Sequence, residues 1–78
     1  MKEFLETLVK NLVDSPDEVE VSEIGGDGVN ILKVKVAKGE VGLVIGRKGR
    51  TAEALRIILN AVGAKAGKRL VLEIVENR

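Results

Sequence analysis

The chain has no cysteine, no histidine, no tryptophan and no tyrosine, and Phe4 is its only aromatic residue. Each absence removes a class of function. Without cysteine there are no disulfides, no thiol redox chemistry and no thiolate metal site. Without histidine as well, a transition-metal site loses its usual ligands. No Ser–His or Cys–His dyad can form, and no pair of carboxylates accompanies the basic stretch described below. General acid–base and nucleophilic catalysis therefore have no candidate residues. A single phenylalanine also argues against nucleic-acid binders that stack bases on rings, such as RRM-type sheets or most OB folds. No apolar run approaches the roughly 20 residues of a membrane span, and the N-terminus has no signal-peptide core. The expectation is a cytoplasmic, non-catalytic protein with no cofactor, no metal and no membrane contact.

What is present fits one domain spanning residues 1–78. A chain this short buries only roughly 60–65% of its unfolded surface, so its stability margin is modest. The net charge of +1 hides a segregation. Residues 1–32 carry two cations against eight acids, a net −6. Residues 33–56 carry seven cations against two acids, a net +5, and residues 57–78 carry a net +2. A polyanion bound by one face suits this distribution.

Residues 1–13 place Phe4, Leu5, Leu8, Val9, Leu12 and Val13 on one stripe of a helix, which Asp14-Ser15-Pro16 stops. Residues 18–24 alternate Glu and Ser with Val and Ile, a strand with one wet face. Gly25-Gly26-Asp27-Gly28 is a turn, and residues 29–37 form a second strand with Leu32, Val34 and Val36 on one face and Lys33 and Lys35 on the other. The acidic strand lies beside the basic one, so cross-strand Glu–Lys pairs are expected. Residues 41–45 are an apolar run that periodicity alone leaves open between strand and helix; the glycine that ends it favours a short helix. Residues 50–62 predict a helix with Ala54, Leu55, Ile58, Leu59 and Val62 as its apolar face and Thr51 as a possible cap. The glycines of 63–67 fray or end it, and residues 69–75 are a third strand with Leu70, Leu72 and Ile74 inward. The order is helix–strand–strand–helix–helix–strand. The second and third strands, more than thirty residues apart, can pair in parallel through a right-handed crossover. This is an α+β domain of two layers, a three-stranded mixed sheet with helices on one face.

The chain's chemistry gathers at Val44-Ile45-Gly46-Arg47-Lys48-Gly49-Arg50-Thr51. Two glycines three apart let the backbone turn tightly with no Cβ in the way of an approaching group. The helix that starts at once leaves N–H groups unpaired at a positive dipole end. Arg47, Lys48 and Arg50 add mobile charge, and phosphate is the natural guest. A plain helix–helix turn would explain one of these glycines but not both with cations between them. Thr51 serves equally as cap or contact, Gly42 as packing or contact, and Arg56 and Lys35 read as surface charges. Ile45 is expected to help fill the core. A nucleotide-binding P-loop does not fit: counted from Gly42, Arg47 stands where the second glycine belongs, and counted from Gly46, Thr51 does.

The element order, with Val41 to Thr51 carrying a VIGxxGxT core between two helices, resembles the type II KH domain over essentially the whole chain. A bare GxxG is a weak signal; the apolar lead-in, the threonine and the element order make it fairly specific. The opening helix and the Asp-Ser-Pro-Asp-Glu-Val stretch look like the small stand-alone KhpA-type RNA-binding proteins of bacteria. The resemblance implies that the Gly46–Gly49 loop clamps the backbone of about four single-stranded RNA nucleotides. It implies that Gly42 admits the nucleic acid close to the short helix and that Arg47, Lys48, Arg50 and Thr51 meet it. Ile45 and Ala54 would line an aliphatic groove, with the third strand, Lys65, Lys68 and Arg69 as its other wall. It also implies a homodimer, or a heterodimer with a second, KhpB-type KH protein, and a role as RNA chaperone or post-transcriptional regulator. The rival use of the same fold is a protein-interaction or dimerisation module, or a ribosome-associated factor.

Overall fold

The computed structural model describes residues 1–77. Helix α1 spans Lys2–Lys10, strand β1 Glu20–Gly25, strand β2 Val29–Val36, helix α2 Val41–Ile45, helix α3 Arg50–Ala66 and strand β3 Arg69–Glu76. The sheet order is β1-β2-β3; β1 runs antiparallel to β2 and β3 parallel to it. The expected α+β order and mixed sheet are therefore present, and residues 41–45 are the short helix.

Period-two patterning sets the sheet's faces. Leu32, Val34 and Val36 are fully buried and meet Leu5 and Val9 of α1, Val44 of α2 and Leu55 and Leu59 of α3 in one core. Leu72 of β3 pairs with Leu32 and joins the same core. The hairpin turn closes with the Gly26 N–H donating to the Val29 carbonyl at 2.8 Å. The outer face opposes Glu20 to Lys35 in register, yet the pair stays open: among the described residues the only salt bridge is Lys10–Glu6 on α1.

Helix α1 and strand β1 depart from the sequence expectation. Helix α1 ends at Lys10 rather than Val13, because Asn11 takes the cap and its side-chain amide donates to the Thr7 carbonyl at 2.8 Å. Phe4 is half exposed, so the buried stripe is the narrower Leu5–Val9 line. Glu18 belongs to a tight helical turn, Pro16–Glu18, and β1 starts two residues later.

The larger correction concerns α3. Gly63 does not fray it; the helix runs on to Ala66, and Gly67, at φ 70°, ends it in a left-handed cap. The Gly67 N–H donates to Ala64 O and the Lys68 N–H to Gly63 O at 2.8 Å, the paired bonds of a Schellman motif. Gly63 is buried where α3 crosses β3: a Cβ there would lie 2.6 Å from the Lys68 carbonyl oxygen and 3.1 Å from the Leu70 side chain. The buried face is Ala52, Leu55, Leu59 and Gly63, while Ala54, Ile58 and Val62 are exposed. Apolar residues cover roughly more than half of this helix's circumference, more than the sheet buries, so spacing alone does not fix its rotation.

Candidate nucleic-acid interface

The connection between α2 and α3 is short and conformationally forced. Among Gly46–Gly49, three residues have positive φ: Gly46, Lys48 and Gly49. Gly46 ends α2 at φ 78°, ψ 172°, a region essentially reserved for glycine. A Cβ at Gly46 would lie 2.2 Å from Thr51 Oγ1 and 3.0 Å from the Thr51 backbone nitrogen. Thr51 thus packs its side chain against the loop, and α3 has no side-chain cap; its N-cap residue is Gly49. Gly49, at φ 74°, ψ 12°, has open space where a Cβ would be, so only its conformation calls for glycine. Lys48 holds φ 57° without that licence, a left-handed conformation that costs about 1–2 kcal/mol for an L-residue.

Two loop N–H groups are spent inside the domain, Gly46 on Gly42 O at 2.9 Å and Gly49 on Gly46 O at 3.1 Å, so the loop brings the Arg47 and Lys48 N–H groups and the dipole of a 17-residue helix to one surface. Arg47, Lys48 and Arg50 are all exposed around it. Glu53 is the one acid in the first turn of α3. Gly42 is exposed on α2 with nothing within 4 Å of a hypothetical Cβ, so no packing contact inside the domain requires it. Ile45 is exposed too; Val44, fully buried, is the residue of α2 that fills the core.

Six residues along α3 from Arg50, Arg56 and Asn60 face β3 across a recess of about 250 Å³, whose other wall is Arg69, Leu70, Val71 and Leu72. Ala54 does not share it. Two residues from Arg56 is a 200° rotation on a helix, which puts Ala54 on the opposite side of α3. Lys65 and Lys68 are exposed but do not line the recess either. The sequence reads Arg56 as a surface charge and singles out no role for Asn60; the rotation of α3 brings both to the recess. The recess opens on a sheet edge. The Arg69 N–H donates to Gly28 O at 2.8 Å and the Asn77 N–H to Val36 O at 2.7 Å, so odd-numbered residues of β3 spend their peptide groups on β2. Those of Leu70, Leu72 and Ile74 turn outward, where the sheet does not use them.

A type II order with a glycine-bounded cationic loop between its two central helices now meets independent evidence. The model of the KhpA/KhpB KH domain family matches residues 2–74. This chain belongs to that family. The RNA-binding protein KhpA of Clostridium acetobutylicum is 51% identical over 75 residues, covering 96% of this chain and 100% of the relative. That of Aquifex aeolicus is 49% identical over 76 residues, 97% of this chain and 96% of its own length. That of Chlamydia trachomatis is 46% identical over 78 residues, the whole of both chains. No solved structure gives a significant match. The family is a non-enzymatic class of RNA-binding proteins. No helix among the described residues is long and apolar enough to cross a membrane.

Proposed function

We propose that this KH domain binds a short stretch of single-stranded RNA, with the Gly46–Gly49 loop as the backbone clamp. The observation that carries the reading is the loop itself: positive φ at Gly46, Lys48 and Gly49, an uncapped helix start behind it and three exposed cations around it. Phosphates meet the loop N–H groups, Arg47, Lys48 and Arg50. The open space at Gly42 lets the strand approach α2. The bases then lie toward the recess between α3 and β3, over aliphatic side chains, with the outward peptide groups of Leu70 and Leu72 within the same wall. This route needs no aromatic ring. The names of the relatives, each an RNA-binding protein, support it. The biological setting would be cytoplasmic, as a chaperone or regulator of RNA.

Few phosphates are engaged, so affinity should be moderate and fall with salt. Three or four contacts on a single strand give a log–log slope of roughly −2 to −3. Fluorescence anisotropy of a labelled, unstructured RNA across a salt series measures it; a slope near zero removes the phosphate clamp.

A second role is compatible with the first and rests on a separate observation. Ile57 is 62% exposed, Ile58 40% and Val62 41% on α3, and Leu43 is exposed on α2. Apolar surface of this kind marks association, which supports pairing with a second copy or with a KhpB-type KH protein. A purely monomeric mass at tens of micromolar, alone and with such partners, would end that part of the reading.

A further inference from the structure

The Asp14-Ser15-Pro16 turn, which the RNA-binding reading leaves without a role, is tied directly to the root of the loop-bearing helix. The Ser15 backbone N–H donates to Glu40 Oε1 at 3.0 Å and the Ser15 hydroxyl donates to Glu40 Oε2 at 3.0 Å. Both oxygens of one carboxylate are thus held by one residue 25 positions away, in a half-buried setting. Glu40 is the residue from which α2 starts. Its N–H donates to Ala37 O and its own carbonyl accepts from the Leu43 N–H, each at 3.0 Å. Ser15 is fixed in turn: its carbonyl accepts from the Glu18 N–H, and the Glu18 carbonyl accepts from the Asn77 side chain. The neighbouring Gly39 N–H donates to the Glu76 carboxylate at 3.2 Å.

The loop's two ends are anchored very unequally. Helix α3 has 17 residues and buries Ala52, Leu55, Leu59 and Gly63. Helix α2 has five residues and buries only Val44; a helix of that length does not hold its shape by itself. It spans about 7.5 Å, so a shift at Glu40 is passed on to Gly46. We infer that the Ser15–Glu40 pair is a positioning device: it fixes the start of α2 and thereby the direction in which the Arg47 and Lys48 N–H groups of the loop point. Ser15 and Glu40 do not touch the RNA. They act through α2, and the inference rests on the RNA-binding reading of the loop.

The charge of Glu40 makes the test decisive in sign. Removing a carboxylate beside a basic loop strengthens RNA binding if only electrostatics matters. Positioning demands the opposite. Glu40→Gln, which keeps one acceptor, and Ser15→Ala, which keeps the backbone bond, are compared with wild type for binding to a labelled unstructured RNA at fixed salt. Amide hydrogen exchange is measured on the RNA-free proteins. Both variants should bind several-fold more weakly. Exchange at the hydrogen-bonded amides of Leu43, Gly46 and Gly49 should rise by about tenfold, the equivalent of one charge-assisted hydrogen bond, while the core amides of Leu32 and Leu59 hold their wild-type rates. Should Glu40→Gln fail to fold, Ser15→Ala alone decides. Unchanged or tighter binding overturns the inference, and so does exchange that quickens equally throughout the domain. Arg47→Asp/Lys48→Asp is run alongside. If that variant binds normally, the loop reading fails; if it loses binding while Glu40→Gln does not, only the positioning role fails.

Discussion

Replacing Gly46 by alanine should be the most damaging single methyl group that can be added to this loop. Two effects combine. The backbone at φ 78°, ψ 172° is one that an L-residue avoids, at a cost of about 1–3 kcal/mol. The new Cβ would also lie 2.2 Å from Thr51 Oγ1, 2.7 Å from Thr51 Cβ and 3.0 Å from the Thr51 nitrogen. Rotating the threonine moves Oγ1 but neither Cβ nor the backbone, so α2 and α3 must separate, adding about 1–3 kcal/mol. The sum is about 4 kcal/mol, a large share of the ~4–12 kcal/mol that a domain of this size holds in total. Gly49 is the internal control. It too has positive φ, but no atom lies within 4 Å of its added Cβ, so Gly49→Ala should cost only about 1 kcal/mol and Gly49→Asn less. At about 4–8 °C per kcal/mol, Gly49→Ala lowers Tm by several degrees and Gly46→Ala by 15 °C or more. Thermal unfolding followed by circular dichroism reads both. Adding Thr51→Ala to Gly46→Ala should return part of the loss, since it removes the nearest atom. A Gly46→Ala protein melting within about 5 °C of wild type refutes the described packing of the loop on Thr51.

Two further substitutions test other parts of the structure. Gly63→Ala favours a helix by propensity, yet it should destabilise by about 1–3 kcal/mol, because its Cβ meets the Lys68 carbonyl at 2.6 Å; a raised Tm contradicts the crossing of α3 over β3. Lys48→Gly separates loop strain from loop charge. Relief of the left-handed φ offsets the backbone entropy of glycine, so Tm should stay level or rise by a few degrees while RNA affinity falls; a drop of more than about 4 °C argues against the φ of 57°.

The sheet was legible in the sequence because period two has one solution once Leu32, Val34 and Val36 must be buried. The GxxG loop was legible because two glycines flanking two cations at a helix start have few other uses. The rotation of α3 was not legible. Ala52, Ala54, Leu55, Ile57, Ile58, Leu59, Ala61 and Val62 spread over roughly more than half of the helix circumference, so spacing does not choose the buried edge, and the narrow polar stripe of Glu53, Arg56 and Asn60 beside it does not announce a wall of the recess. Gly63 misleads for a related reason: glycine reads locally as a helix end, and here it marks a close crossing with Lys68 and Leu70, which the turn at Gly67 brings back against the helix. The Ser15–Glu40 bond joins residues 25 apart through side chains, a relation that no local pattern encodes.

The central claim is that the Gly46–Gly49 loop holds RNA by its backbone, and one double substitution tests it most directly. Arg47→Asp/Lys48→Asp changes two exposed side chains, which leaves the core and the glycine geometry intact. Measured by anisotropy with single-stranded RNA, beside a circular dichroism melt, the account predicts a wild-type Tm and no binding at concentrations that saturate the parent. Wild-type affinity with an unchanged salt slope would contradict it.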